Sequence, residues 1–184
     1  VSGPREQLLS KLGVDPKRKV VLVATNQIRD MGAWATYIEG LMAKPNVSVL
    51  IKPHRNEVML GKLQGYEMLS KKYAHVKLLA NENLRLHSLL PHVDAVALEL
   101  STAGLEAMIK GVPTVFLRKG DYDDINHKYY YDKMEEFVQT DSARLANLTY
   151  AVIVNPSVRK KNLVKIKNFL SHAYHVYLSG EALS

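Results

Sequence analysis

The chain contains no cysteine, a single tryptophan and three phenylalanines in 184 residues. Without thiols, disulfides and thiolate metal sites are excluded, and the absence fits a reducing cytoplasm. No apolar run approaches the ~20 residues that a membrane-spanning helix needs, and the opening Val1-Ser2-Gly3-Pro4 has no signal-peptide pattern. Because the sequence does not start with Met, a processed chain or an excised domain is expected. Acidic residues are in deficit, 18 against 25 Lys and Arg, for a net charge of +7. That bias favours a polyanionic partner: a nucleotide diphosphate, a phosphorylated polymer, nucleic acid or an anionic membrane surface. Nucleic acid is the least favoured of these, since the aromatics are mainly clustered tyrosines and no RNA- or DNA-binding signature occurs. His87 and His92 have no carboxylate or second histidine at ligand spacing, so no metal site is expected.

The hydrophobic content of 47% and charged content of 23% are those of a soluble globular protein. The length fits one domain, residues 1–184, able to bury about two-thirds of its unfolded surface. Apolar runs at Lys19–Ala24, Val47–Ile51, Val76–Leu79, Ala95–Leu98 and Thr114–Leu117 read as buried strands, with Phe137-Val138 as an edge strand. Between them lie helical patterns: Arg5–Leu12, Trp34–Met42, Leu60–Lys72 interrupted at Gly65, and a short helix within Asn81–Pro91. A helix capped by Ser142 runs to Val154, and a basic amphipathic helix spans about residues 156–179. This alternation predicts an α/β fold: a doubly wound, mainly parallel Rossmann-like sheet of five or six strands flanked by helices.

The segment Asp94–Leu117 concentrates the chemistry. Ser101 and Thr102 follow the fourth strand where a helix N-cap is expected, and Leu105, Met108 and Ile109 give that helix an apolar face. Gly111 and Pro113 end it. Free N–H groups, the positive end of the dipole, two hydroxyls and the small Ala103 and Gly104 suit close approach of an anion. Glu106, one turn on, is placed to accept hydrogen bonds from a ribose, or simply complements the dipole. Two further strand exits carry polar groups at the edge where open α/β sheets bind ligands. Thr25, Asn26 and Arg29 follow the first strand; Lys52-Pro53-His54-Arg55 follows the second. Each reads either as a pocket wall or as a polar surface turn. After the fifth strand, Arg118 and Tyr122 stand in a loop with Asp121, Asp123 and Asp124, whose spacing is not that of a calcium loop. Arg159, Lys160, Lys161, Lys165 and Lys167 make the last helix basic, a face for solvent or for an anionic membrane.

The segment Ser101-Thr-Ala-Gly-Leu-Glu-Ala-Met-Ile-Lys-Gly-Val-Pro-Thr-Val115 resembles the donor-nucleotide segment in the C-terminal domain of GT-B glycosyltransferases and of the related UDP-GlcNAc 2-epimerases. Lys52-Pro53-His54 is similar to the Lys-Pro-His-Pro of capsule polysaccharide and teichoic-acid polymer transferases, with Arg55 in place of the second proline. The resemblance implies one half of a GT-B fold, with an N-terminal GT-B domain as its partner. It further implies a nucleotide-sugar donor as substrate, no tightly bound cofactor, and a cytoplasmic site of action with peripheral membrane contact as an option. By it, Ser101, Thr102, Ala103 and Gly104 form the phosphate turn and Glu106 binds the ribose. His54 becomes the catalytic or phosphate-binding residue, with Lys52, Arg29, Thr25, Asn26 and Arg118 around the donor. Many retaining members have seven residues between two glutamates; here six separate Glu99 from Glu106, which leaves Glu99 as a strand-end residue or a sugar ligand.

Overall fold

The apolar runs become a six-stranded sheet. A computed structural model describes residues 3–25, 30–80, 84–99, 101–119 and 133–173. Strands β1 (Lys19–Ala24), β2 (Val47–Lys52), β3 (Val76–Leu78), β4 (Ala95–Leu98), β5 (Thr114–Leu117) and β6 (Val138–Gln139) line up in the order β3-β2-β1-β4-β5-β6. Every pairing is parallel; β1 runs in register with β2 from Lys19↔Val47 to Ala24↔Lys52, and with β4 from Val21↔Ala95. Val20 to Ala24 are buried at every position, as a strand covered on both faces requires. The order reverses between β1 and β4, so their C-terminal ends form the crevice where such sheets bind ligands.

The helices are α1 (Pro4–Lys11), α2 (Met31–Met42), α3 (Arg55–Met59), α4 (Gln64–Lys72), α5 (Leu86–Leu89), α6 (Thr102–Ile109), α7 (Ser142–Val154) and α8 (Pro156–Ala173). Helix α2 packs on α7 across a narrow seam, where Tyr37 and Thr149 share a hydrogen bond of 3.0 Å between their hydroxyls. Burial pushes the Tyr37 hydroxyl well above its ordinary value, so it stays protonated. Helix α8 docks through Asn162, fully buried, whose amide accepts from Thr114 N–H at 3.1 Å and donates to Thr114 C=O at 2.9 Å. The amide occupies the side of Thr114 facing β6, which pairs with β5 only from Phe116 onward. At the same N-terminal edge of the sheet, Asp94 accepts from Arg5 (2.9 Å) and Val20 N–H (2.8 Å) and lies 3.5 Å from Lys19 Nζ, pinning α1 to β1 and β4.

Three local expectations need correction. The helix expected over Leu60–Lys72 starts only at Gln64, as α4; a separate short helix, α3, starts directly after His54, and Gly61 turns the chain at φ +64° between the two. Gly65, the expected interruption, lies inside α4, and a Cβ there would press on the Met31 side chain at 2.8 Å. The N-cap of α7 is Asp141, which accepts from Arg144 N–H at 2.7 Å, while Ser142 is buried as the first helical residue. A shift of one residue is typical where two capping residues stand side by side.

Candidate functional site

A cleft of about 470 Å³ opens at the C-terminal edge of the sheet, lined by Lys52, Pro53, Arg55, Val58, Leu84, Arg85, Leu86, His87 and Glu106. The size is that of small-molecule sites. Lys52 ends β2 and Glu106 sits on the helix after β4. Because β1 lies between β2 and β4, the cleft bridges the end of β1 and takes in the point where strand order reverses. Its chemistry has two parts. Pro53, Val58, Leu84 and Leu86 supply apolar surface for a planar ring. Lys52, Arg55 and Arg85 supply cationic charge, with Glu106 as the carboxylate among them. Lys52 Nζ also reaches the Leu79 carbonyl at 3.5 Å, which tethers its stem across β2 and β3.

The α6 N-terminus lies one turn before Glu106. Ser101 is its N-cap in extended conformation, but its hydroxyl makes no capping hydrogen bond, contrary to the expectation that it would hold the first-turn N–H groups. Thr102, at the first helical position, is exposed. Ala103 is half-buried. Gly104 has a different reason to be small. It is buried against the sheet, where a Cβ would come within 3.1 Å of Leu98 and 3.3 Å of Phe116, and its N–H donates to Ser101 C=O at 3.0 Å. Gly104 therefore lets α6 come down close onto β4 and β5.

Behind the cleft lies a buried carboxylate that the motifs did not mark. Glu57, 3% exposed, accepts from His54 N–H at 2.9 Å, from the Thr25 hydroxyl, and from Tyr66 OH at 2.5 Å. Burial and then the bond to Glu57 raise the Tyr66 hydroxyl above its ordinary value, which keeps it a donor. Thr25, expected on the pocket wall, is thus buried and engaged with Glu57 and His54. His54, between the cleft residues Pro53 and Arg55 in sequence, is exposed and caps α3: its Nδ1 accepts from Asn56 N–H at 3.2 Å, which places the neutral ring's proton on Nε2. Glu99, 8% exposed at the end of β4, accepts from Trp34 Nε1 at 2.9 Å and so braces α2.

The structure therefore brings Lys52 and Glu106 together in one cleft, with Ser101–Gly104 in the turn that precedes Glu106; His54 is not among the lining residues, though both its sequence neighbours are. Arg118, half-buried at the end of β5, is not among the residues that line this cleft; its backbone N–H donates to Gln139 C=O at 2.9 Å. Asn26, Arg29, Tyr122 and the three aspartates near it lie outside the described residues. Arg85, His87 and the leucines Leu84 and Leu86 were not marked as site residues, although the short helix itself was expected, because their place in the cleft depends on how α5 packs beside α6. Their signal was alternation, apolar Leu84 and Leu86 around a cationic Arg85.

The basic face of α8 is partly neutralised. Lys161 lies 2.7 Å from Glu136 and Lys165 2.5 Å from Glu135, while Arg159 donates to the Asp94 carbonyl at 3.0 Å. These pairs weaken the expected attraction to an anionic membrane. Among the described residues no helix is long and apolar enough to cross a membrane, and no group of three or more potential metal ligands forms. A second cleft of about 410 Å³ lies at the other edge of the sheet, among Lys19, Asp94, Asn155 and Arg159.

No family model matches the chain, and no curated protein matches it in sequence. Solved structures do. The C-terminal CMP-Kdo binding domain of WaaA from Acinetobacter baumannii superposes with a TM-score of 0.64 at 16% identity, covering 91% of this chain and 96% of that one. Anabaena Alr3699/HepE, solved in complex with UDP-glucose, gives 0.64 at 16% identity over 97% of this chain and 50% of its own. The wall teichoic acid polymerase TagF gives 0.61 at 18% identity over 91% of this chain and 42% of its own. The chain thus spans about half of HepE and two-fifths of TagF. At such identities the likeness speaks to the fold, and the fold is the Rossmann-like half-domain found at the C-terminal end of GT-B glycosyltransferases.

Proposed function

We propose that the chain is the donor-binding domain of a glycosyltransferase that uses a nucleotide-activated donor in making a bacterial surface polysaccharide or phosphopolymer. The observation that carries this reading is the cleft itself. Apolar surface for a base, a carboxylate one turn into α6 for ribose hydroxyls, and cations around it stand beside a helix N-terminus that its own Ser101 does not cap. The three structures superposed above are described with CMP-Kdo, UDP-glucose and, in the TagF series, CDPG, which fits a nucleotide donor.

The chemistry follows from placement. As the glycosidic bond to the donor phosphate breaks, negative charge grows on the leaving phosphate oxygens. The α6 N-terminus, the Ser101 and Thr102 hydroxyls and the Lys52 ammonium are positioned to stabilise that charge. His54, with Nδ1 engaged in the cap, offers Nε2–H as a further donor beside Pro53 and Arg55. The acceptor and any general base belong to an N-terminal domain, so this chain is expected to bind nucleotide with little turnover of its own. Calorimetric titration of UDP, CDP, GDP and CMP tests the proposal. Saturable binding of one of them, weakened by Glu106→Ala and Ser101→Ala, is the expected result; no binding at millimolar concentration, here and in a two-domain chain, refutes it.

A further inference from the structure

The turn Lys52–Arg55 supplies three residues of the cleft wall, and its geometry is fixed from below by Glu57. The Oε2 atom of Glu57 receives the His54 N–H at 2.9 Å and the Thr25 hydroxyl, and the same His54 N–H lies 3.3 Å from Thr25 Oγ1. Its Oε1 atom receives Tyr66 OH at 2.5 Å. One side chain therefore joins the exit of β1, the exit of β2 and helix α4. A carboxylate suits this task because it only accepts, with room for about four hydrogen bonds on two oxygens. An amide of the same shape turns an NH₂ toward one set of donors. The three donors are neutral, a backbone amide and two hydroxyls, and burying a charge on such terms is costly. An apolar residue would fill the space at lower cost without holding the turn.

We infer that Glu57 is the positioning residue of the donor cleft, holding the His54 backbone, and with it Lys52, Pro53 and Arg55, in the geometry that receives the nucleotide. This rests on the donor-cleft reading. Binding sites lose function when supporting groups let them drift by about 0.5 Å, so removing this support acts on affinity more than on the fold.

The test compares Glu57→Gln, Thr25→Val and Tyr66→Phe in this chain, by thermal unfolding, by calorimetry with CDP, UDP and CMP, and by ¹⁵N NMR of the ligand-free protein. Tyr66→Phe is the structural control, since it empties Oε1 and leaves the Glu57–His54 bond intact. Glu57→Gln is expected to weaken the nucleotide that binds about tenfold, the scale of one charge-assisted hydrogen bond, and Thr25→Val in the same direction. Tyr66→Phe should stay within about twofold even where its melting temperature falls further than that of Thr25→Val. Affinity losses that simply follow the melting temperatures, or Glu57→Gln binding like the parent, overturn the inference. If the parent binds none of the three, the donor-cleft reading fails separately, and the ligand-free spectra judge Glu57. Shifted His54 and Arg55 amides with faster exchange in Glu57→Gln and Thr25→Val uphold it; unchanged amides overturn it. Should Glu57→Gln not fold, Thr25→Val carries the comparison.

Discussion

Replacing Gly40 by alanine should destabilise this protein although alanine is the better helix former. Gly40 lies within α2 against α7, and a Cβ built on it falls 2.8 Å from the Cβ of Ala146. Carbon atoms rest at about 3.5–4.0 Å, so the two helices must part by about 1 Å. The propensity gain is about 1 kcal/mol, against about 1–3 kcal/mol for overpacking. Parting the seam also stretches the Tyr37–Thr149 hydrogen bond, worth about 1 kcal/mol. The net is a loss of about 2 kcal/mol, or a fall of roughly 4–8 °C in melting temperature for a domain of this size. The neighbour is a Cβ fixed to its own helix and has no torsion with which to retreat. At Gly65 the same 2.8 Å contact is with the Met31 side chain, which can turn aside, so Gly65→Ala should cost far less. Thermal unfolding of Gly40→Ala, Ala146→Gly and the double variant measures the coupling directly. Because the double variant exchanges one methyl across the seam, it should lie within about 1 kcal/mol of the parent and show a coupling of about 2 kcal/mol. Gly40→Ala melting at or above the parent, or strict additivity, would refute the reasoning.

Asn162→Ala removes both partners of Thr114 at the buried edge of β5. It should cost about 2–4 kcal/mol, read as a drop of roughly 8 °C; a change below about 1 °C would contradict the edge-covering role. The Glu136–Lys161 pair gives a pH dependence at both ends. The hydrogen bond to Lys161 holds the Glu136 carboxyl below its ordinary 4.5, so its contribution is present above that value and is lost as pH falls through the lowered one. The Glu136 hydrogen bond raises Lys161 above 10.5, so its contribution is present below that value and is lost as pH rises through the raised one. Amide exchange at residues 135–139 should therefore speed up at both extremes, and the acid limb should vanish in Glu136→Gln. An acid limb unchanged in that variant would show that the pair does not hold β6 in place.

The strands and the unit from β4 through α6 to β5 were legible because their signals are local. Val20–Ala24 and Ala95–Leu98 are continuous apolar runs, and Gly111 with Pro113 stops a helix wherever they occur. The fold class and the resemblance to GT-B half-domains followed from them. The supports of the site were not legible, since each joins residues far apart in sequence. Glu57 meets Thr25 32 positions away, Asn162 meets Thr114 48 away, and Trp34 meets Glu99 65 away. Nothing in the neighbourhood of a lone Glu or Asn announces such a partner. The packing of Gly104 on Leu98 and Phe116 was likewise not legible, since neither neighbour is marked by the local sequence. Arg85 and His87 reach the cleft because α5 folds back beside α6, which no local pattern states.

The central claim is where the nucleotide sits, and chemical-shift mapping tests it most directly. Uniformly ¹⁵N-labelled chain would be titrated with the nucleotide that calorimetry selects. Saturating perturbations are expected, confined to residues 52–58, 84–87 and 101–106, and they should collapse in Glu106→Ala. Perturbations centred instead on the opposite cleft, at Lys19, Asp94 and Arg159, or unaffected by Glu106→Ala, would contradict the claim.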